Sequence, residues 1–96
     1  MAKAIIRATD NHGEKKSIEF GCSVNVNGDY NAQFNTIVRR KDGRKAIIDG
    51  LKLYFGDAKL ELIVDGMVIA EGKISYNAFS GHGDVETKRC QPRKAA

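Results

Sequence analysis

The chain has one proline, no tryptophan, two cysteines and no long apolar run in its 96 residues. Each shortage removes a class of protein. A helix that crosses a membrane needs roughly 20 consecutive apolar residues, so none is expected and a membrane partner is set aside. The opening "MAKAIIRATD" lacks the apolar h-region of roughly 7 to 15 residues that a secretion signal carries, and it reads as a first strand. Cys22 and Cys90 lie far apart and outside any CxxC spacing, which argues against both a zinc site and a disulfide framework and favours a reducing, cytoplasmic setting. No phosphate-binding, dinucleotide or metal-ligand motif is present, so no cofactor is expected.

What remains suits one folded unit. A 42% hydrophobic share suffices for one core, and 96 residues are too few for two ordinary domains. We expect a compact domain over residues 1–79 and an irregular basic tail over 80–96, since from Ala78 onward "AFSGHGDVETKRCQPRKAA" shows no apolar period.

Within the domain, "SIEFGCSVNVNG" alternates Ile18, Phe20, Cys22, Val24 and Val26 with polar or small residues, the period of a strand with one buried face. Asn27-Gly28 follows as a turn pair. Tyr30, Ala32, Phe34 and Val38 continue the even-numbered apolar face, which predicts a hairpin whose second strand covers the thirties. "KAIIRAT" is a further strand, joined through the polar turn "DNHGEKK". Downstream, Leu60, Leu62 and Val64, then Asp65-Gly66, then Met67 to Ile74 predict a second hairpin.

The segment "DGRKAIIDGLKLYFGDA" reads in two ways. At helical spacing Ile47, Ile48, Leu51, Tyr54, Phe55 and Ala58 share a face opposite Lys45, Asp49, Lys52 and Gly56, with Asp42 as N-cap and Gly56 as the stop. The rival is a strand at "LKLYF" between glycine turns, with Gly50 speaking against a helix. The expected fold is therefore α+β, a small antiparallel sheet of two hairpins with one amphipathic helix over residues 44–55 packed on it, and all-β is the alternative.

Charge is the most suggestive functional feature. Arg39, Arg40, Lys41, Arg44 and Lys45 stand against a single acid, Asp42, and in the tail Lys88, Arg89, Arg93 and Lys94 stand against Glu86. The rest of the chain holds seven basic and ten acidic residues, so the basicity is local and the body is mildly acidic. Concentrated patches suit a polyanion or an acidic protein surface better than they suit general solubility. With Asp42 starting a helix, Arg39, Arg40 and Lys41 would close the preceding strand while Arg44 and Lys45 enter the first helical turn. Free amides and cations would there form a phosphate site. The plainer reading is a solvated hairpin end. The tail would act as a flexible basic arm.

Other residues carry less. His12 and His82, even taken with Cys22 or Asp84, have no ligand spacing. Asp10, Glu14, Asp29, Asp57 and Asp84 mostly sit in turn contexts that want short polar side chains. Cys90 in the tail has no partner base, and no catalytic triad can be assembled, so an enzyme is not expected. Phe20, Phe34 and Phe55 belong by default to the core. Tyr76 and Phe79 are the aromatics placed to stand exposed beside the basic tail, where they would stack on a base or meet a protein.

Three expectations follow. The first is a small non-enzymatic binding protein whose basic patch contacts nucleic acid or a nucleic-acid-handling complex. The second is a protein–protein inhibitor: in size and general layout the chain resembles small accessory proteins of phages and mobile elements, including anti-CRISPR proteins, that block a host complex by occupying its surface. That resemblance covers no motif and transfers no residue. The third is a homodimer through a sheet edge, most naturally the strand beginning at Met67.

Overall fold

The computed structural model describes residues 2–40, 45, 47–49, 55–77 and 82–95, with the side chains of 2, 3, 20–23, 55 and 82 excepted. Five strands, β1 (Ala2–Thr9), β2 (Lys15–Val24), β3 (Phe55–Val64), β4 (Met67–Asn77) and β5 (His82–Lys94), form one sheet in the order β2-β1-β3-β4-β5. Every neighbouring pair is antiparallel. Helix α1 (Tyr30–Arg39) packs on it. The described residues are mostly sheet with little helix, between the expected α+β arrangement and its all-β alternative.

Turn chemistry sets the hairpins. Between β1 and β2, the Asp10 carboxylate accepts from the backbone N–H groups of His12 and Glu14, both at 2.9 Å, and Gly13 takes φ of 81°. Between β3 and β4, Asp65 and Gly66 both have positive φ, 52° and 77°, the twist that a two-residue hairpin requires. Both joints stand where the turn residues predict them.

Alternation then sorts the faces. Ala4, Ile6 and Ala8 of β1, Ala58, Leu60, Leu62 and Val64 of β3, Ala70 and Ile74 of β4 and Val85 of β5 are buried together on the inner face. A register shift between Val68 and Ala70 breaks the alternation of β4, so both Val68 and Ile69 are buried although they are adjacent. Helix α1 closes the inner face with Phe34, Ile37 and Val38.

Several expectations are corrected. The thirties are a helix, so the hairpin over residues 17–38 does not form. Asn25 accepts from the N–H of Asn27 at 3.1 Å and Asp29 caps α1 by accepting from Ala32 N–H at 3.4 Å, which makes Asn27-Gly28 a lead into a helix. Tyr30, Phe34 and Val38 lie four apart and so satisfy a period of two and a helical period equally. Buried Ile37 and exposed Ala32 separate the readings in favour of the helix. Val26, expected on the buried face, lies beyond β2 and is 40% exposed.

Residues 82–94 are not an irregular tail. They form β5, the longest strand at 13 residues. The strand beginning at Met67 is no edge either, because β4 lies between β3 and β5. The edges are β2 and β5.

The segment expected as a helix over 44–55 is helical at Lys45 and Ile47 to Asp49. Ile47 is buried and Ile48 packs on the core, while Lys45 and Asp49 are exposed, as helical spacing requires. Asp42, the expected cap, lies outside the described residues. Gly56, the expected stop, already belongs to β3, with φ of 115°. Among the described residues, no helix is long and apolar enough to cross a membrane.

Candidate nucleic-acid interface

Helix α1 lies antiparallel along β5, and three contacts hold it there. Near its start, Arg89 of β5 binds the Asp29 carboxylate at 3.1 Å and sits over the Tyr30 ring, 4.9 Å from its centroid. Mid-helix, the Asn35 amide donates to the Thr87 hydroxyl at 3.0 Å. In the last turn, the Arg39 guanidinium donates to the Val85 backbone carbonyl, and its Nε donates to the Asn35 side-chain Oδ1 at 2.7 Å.

The spacing explains the fit. Four to five helical residues rise about 6 to 7.5 Å, and two strand residues rise about 6.6 Å, so a contact on α1 can meet every second residue of β5. Residues 85, 87 and 89 share the strand face that turns toward the helix.

This packing brings parts of both basic patches to one groove of about 610 Å³. Its cations are Arg39, Lys73 and Lys88, its acids Glu71 and Glu86, and Asn35, Gly72, Val85 and Thr87 complete the lining. Gly72 is required there: a Cβ at that position would approach the Glu86 carbonyl oxygen to 2.5 Å. A second hollow of about 500 Å³ lies between Thr9–Asn11 and Asp57–Lys59. There the Ser75 hydroxyl and the Lys73 ammonium, 3.2 Å from the carboxylate, hold Asp57 below its usual pKa.

The anticipated binding residues divide into three groups. Arg39, Arg40, Lys45, Lys88 and Lys94 are exposed, and Arg39 and Lys88 line the groove. Arg89 and Arg93 are tied to carboxylates of the fold. Lys41, Arg44 and Phe79 lie outside the described residues. Tyr76 is half-buried and packs against the core, not standing exposed at the edge.

The reasoning for the knot also changes. Arg39 and Arg40 end a helix instead of a strand, with Arg39 in the last turn and Arg40 as C-cap. Cations at a helix C-terminus face its negative end and are favourable there. Their placement has a stabilising reason of its own, and no helix N-terminal amides add to them.

Sequence reasoning missed the most developed polar cluster, on the outer face. The Arg7 guanidinium meets Glu61 at 2.8 and 2.9 Å, and Arg93 bridges Glu61 at 3.0 Å and Glu71 at 3.4 Å. Glu61 is only 7% exposed. Burial pushes its carboxyl up, but the hydrogen bonds from Arg7 and then Arg93 outweigh it and hold the group below the usual carboxylate range. The Glu61 bond in turn raises the Arg93 guanidinium. Glu61 between Leu60 and Leu62 was the available signal, but its partners become visible only once β1, β3, β4 and β5 are in register.

Cys90 is half-buried beside Arg93, whose Nη1 lies 3.4 Å from its sulfur. Among the described residues, no group of three His, Cys, Asp or Glu side chains is placed to hold a metal ion.

No protein-family model matches the chain, and neither does any curated protein or any solved structure.

Proposed function

We propose that the protein is a non-enzymatic binding module that contacts nucleic acid, or a complex that handles it, through the groove between α1 and β5. One observation carries this reading. Helix α1 lies along β5 and so places Arg39 and Lys88, 49 residues apart in sequence, on the lining of one groove. Exposed Arg40 follows at the end of the helix, while Lys73 is held by Asp57. Cations along an open groove attract a phosphate backbone without base specificity. A cytoplasmic setting accompanies this reading, with Cys90 a free thiol.

Glu71 and Glu86 interleave with those cations and favour a second reading, in which the groove docks a protein surface of mixed charge with acidic residues prominent. That is the mode expected of an accessory protein that inhibits a host complex.

Fluorescence anisotropy with labelled single- and double-stranded DNA and RNA at several salt concentrations tests the first reading. Neutralising about three phosphates gives a slope of roughly −2 to −3 in log affinity against log salt. The combination Arg40→Glu with Lys88→Glu is expected to abolish binding at a cost of no more than about 1 kcal/mol in stability, the share that a cation at the C-terminus of α1 supplies. Binding that survives the double reversal would defeat the groove. No binding at any salt, together with a stoichiometric protein complex lost in the same double reversal, would establish the second reading.

A further inference from the structure

Among the described residues, strand β2 is bonded only to β1, so its other side is an edge of the sheet. The hairpin determines which backbone groups face out. Asp10 N–H donates to the Glu14 carbonyl at 3.0 Å, and bonded and non-bonded pairs alternate along an antiparallel ladder. From the register, Lys16 and Ile18 are the next residues of β2 bonded to β1, opposite Ala8 and Ile6. Lys15, Ser17 and Glu19, opposite Thr9, Arg7 and Ile5, therefore turn their N–H and C=O groups away from β1. All three residues are exposed.

We propose that this edge pairs antiparallel with the same edge of a second copy of the chain, about a two-fold axis at Ser17. Lys15 then stands opposite Glu19 of the second copy, and Glu19 opposite its Lys15. The three outward-facing residues of each chain meet those of the other as hydrogen-bonded pairs, and both opposite-charge pairs fall on one face.

Charge selects this register from its neighbours. A shift of one step in one direction sets Lys16 against Lys16 of the second copy, and a further step sets Lys15 against Lys15. A shift of two steps the other way sets Glu19 against Glu19, and the step between leaves Lys15 opposite Gly21. Lysine on an edge ordinarily deters pairing. Glu19, four residues beyond Lys15, reverses that deterrent for one alignment. On the other face, Lys16 falls opposite half-buried Ile18 of the second copy, and its aliphatic stem covers that side chain.

The opposite edge does not offer the same template. Along β5, Arg39 takes the Val85 carbonyl, Asn35 takes the Thr87 hydroxyl, and Pro92 removes a donor. The pairing is symmetric, so β2 joins β2 and leaves β5 at both outer ends. This inference does not depend on what the groove binds.

Sedimentation velocity of the full chain from about 1 μM to about 1 mM, a range suited to so small an interface, is the test. The wild-type chain is expected to show a concentration-dependent monomer–dimer equilibrium. Lys15→Glu and Glu19→Lys should each weaken it about tenfold or more, by setting like charges opposite at both ends of the contact. An equimolar mixture of the two variants should recover dimer, because every mixed pair is again of opposite sign. Ser17→Pro should remove the dimer while keeping the fold by circular dichroism, since the lost N–H does not bond β1. A wild-type monomer throughout, a dimer indifferent to the reversals, or a mixture no tighter than its components would each overturn the proposal.

Discussion

The two edges of the sheet are protected by different means. At β5, α1 lies alongside the strand and Arg39, Asn35 and Asp29 engage Val85, Thr87 and Arg89 in turn. At β2, Lys15, Lys16, Ser17 and Glu19 are exposed, and among the described residues no helix lies along them as α1 lies along β5. The guarded edge is the one with less apolar content. Val85 is the only fully buried residue described on β5. Its strand state is therefore supported from outside, by α1 on one face and the Glu61 cluster on the other. The β2 edge has the stronger hairpin turn and an alternating pattern, and its residues Lys15 to Ser17 and Glu19 are exposed.

Removing the helix's grip is the largest way to break that difference. Phe34 is fully buried beneath α1. Phe34→Ala is expected to cost about 3–5 kcal/mol, read from urea unfolding midpoints. The loss should be uneven. Amide exchange along Val85 to Arg89 should accelerate well before that in β1, because β5 depends on the helix and β1 is bonded on both sides. Equal acceleration in both strands would show that α1 supports the sheet as a whole instead of one edge.

The second support of β5 lies on its other face. Glu61→Ala leaves Arg7 buried without its carboxylate and releases Arg93, for an expected cost of about 3 kcal/mol. Its signature is a pH dependence. Glu61 titrates lower in the folded protein than in the unfolded chain, where a glutamate titrates near about 4.3. Its contribution is therefore complete above that value and is lost as pH falls through the lower folded one, because the unfolded chain binds the extra proton there. Unfolding midpoints measured from about pH 7 down to about pH 3 should show this acid limb, and Glu61→Gln should flatten it. An unchanged limb would assign acid sensitivity to other carboxylates.

These contrasts explain what could be read from the residues. The turns at Asp10–Glu14 and Asp65-Gly66 depend on local backbone chemistry, and both were legible. So were the inner face of β3, where alternation is sustained, and the strand state of β4. Helix α1 was not, because Tyr30, Phe34 and Val38 fit either period and the deciding cap, Asp29, sits behind a turn pair that also opens hairpins. Strand β5 was not, because its reasons are non-local: Arg89 finds Asp29, Thr87 finds Asn35 and Arg93 finds Glu61. The same distance hid the site. Residues that read as one free basic tail divide in the fold into Arg89 and Arg93, held by carboxylates, and Lys88, which lines the groove.

The smallest expected effect completes the comparison at the other edge. Lys15 is exposed at the start of β2 and no contact of the core depends on it. Lys15→Glu should therefore change the unfolding free energy of the dilute monomer by less than about 0.5 kcal/mol, against several kcal/mol at the β5 supports. The amide exchange of Ser17 and Glu19 in that monomer should also match the wild-type protein. In concentrated wild-type samples those two amides should slow, because they are the donors that face outward, while Lys16 and Ile18, already bonded to β1, should respond less. Slowing spread evenly over residues 15–19, or seen at β5 instead, would mean that the open edge is not where the chain meets its copy.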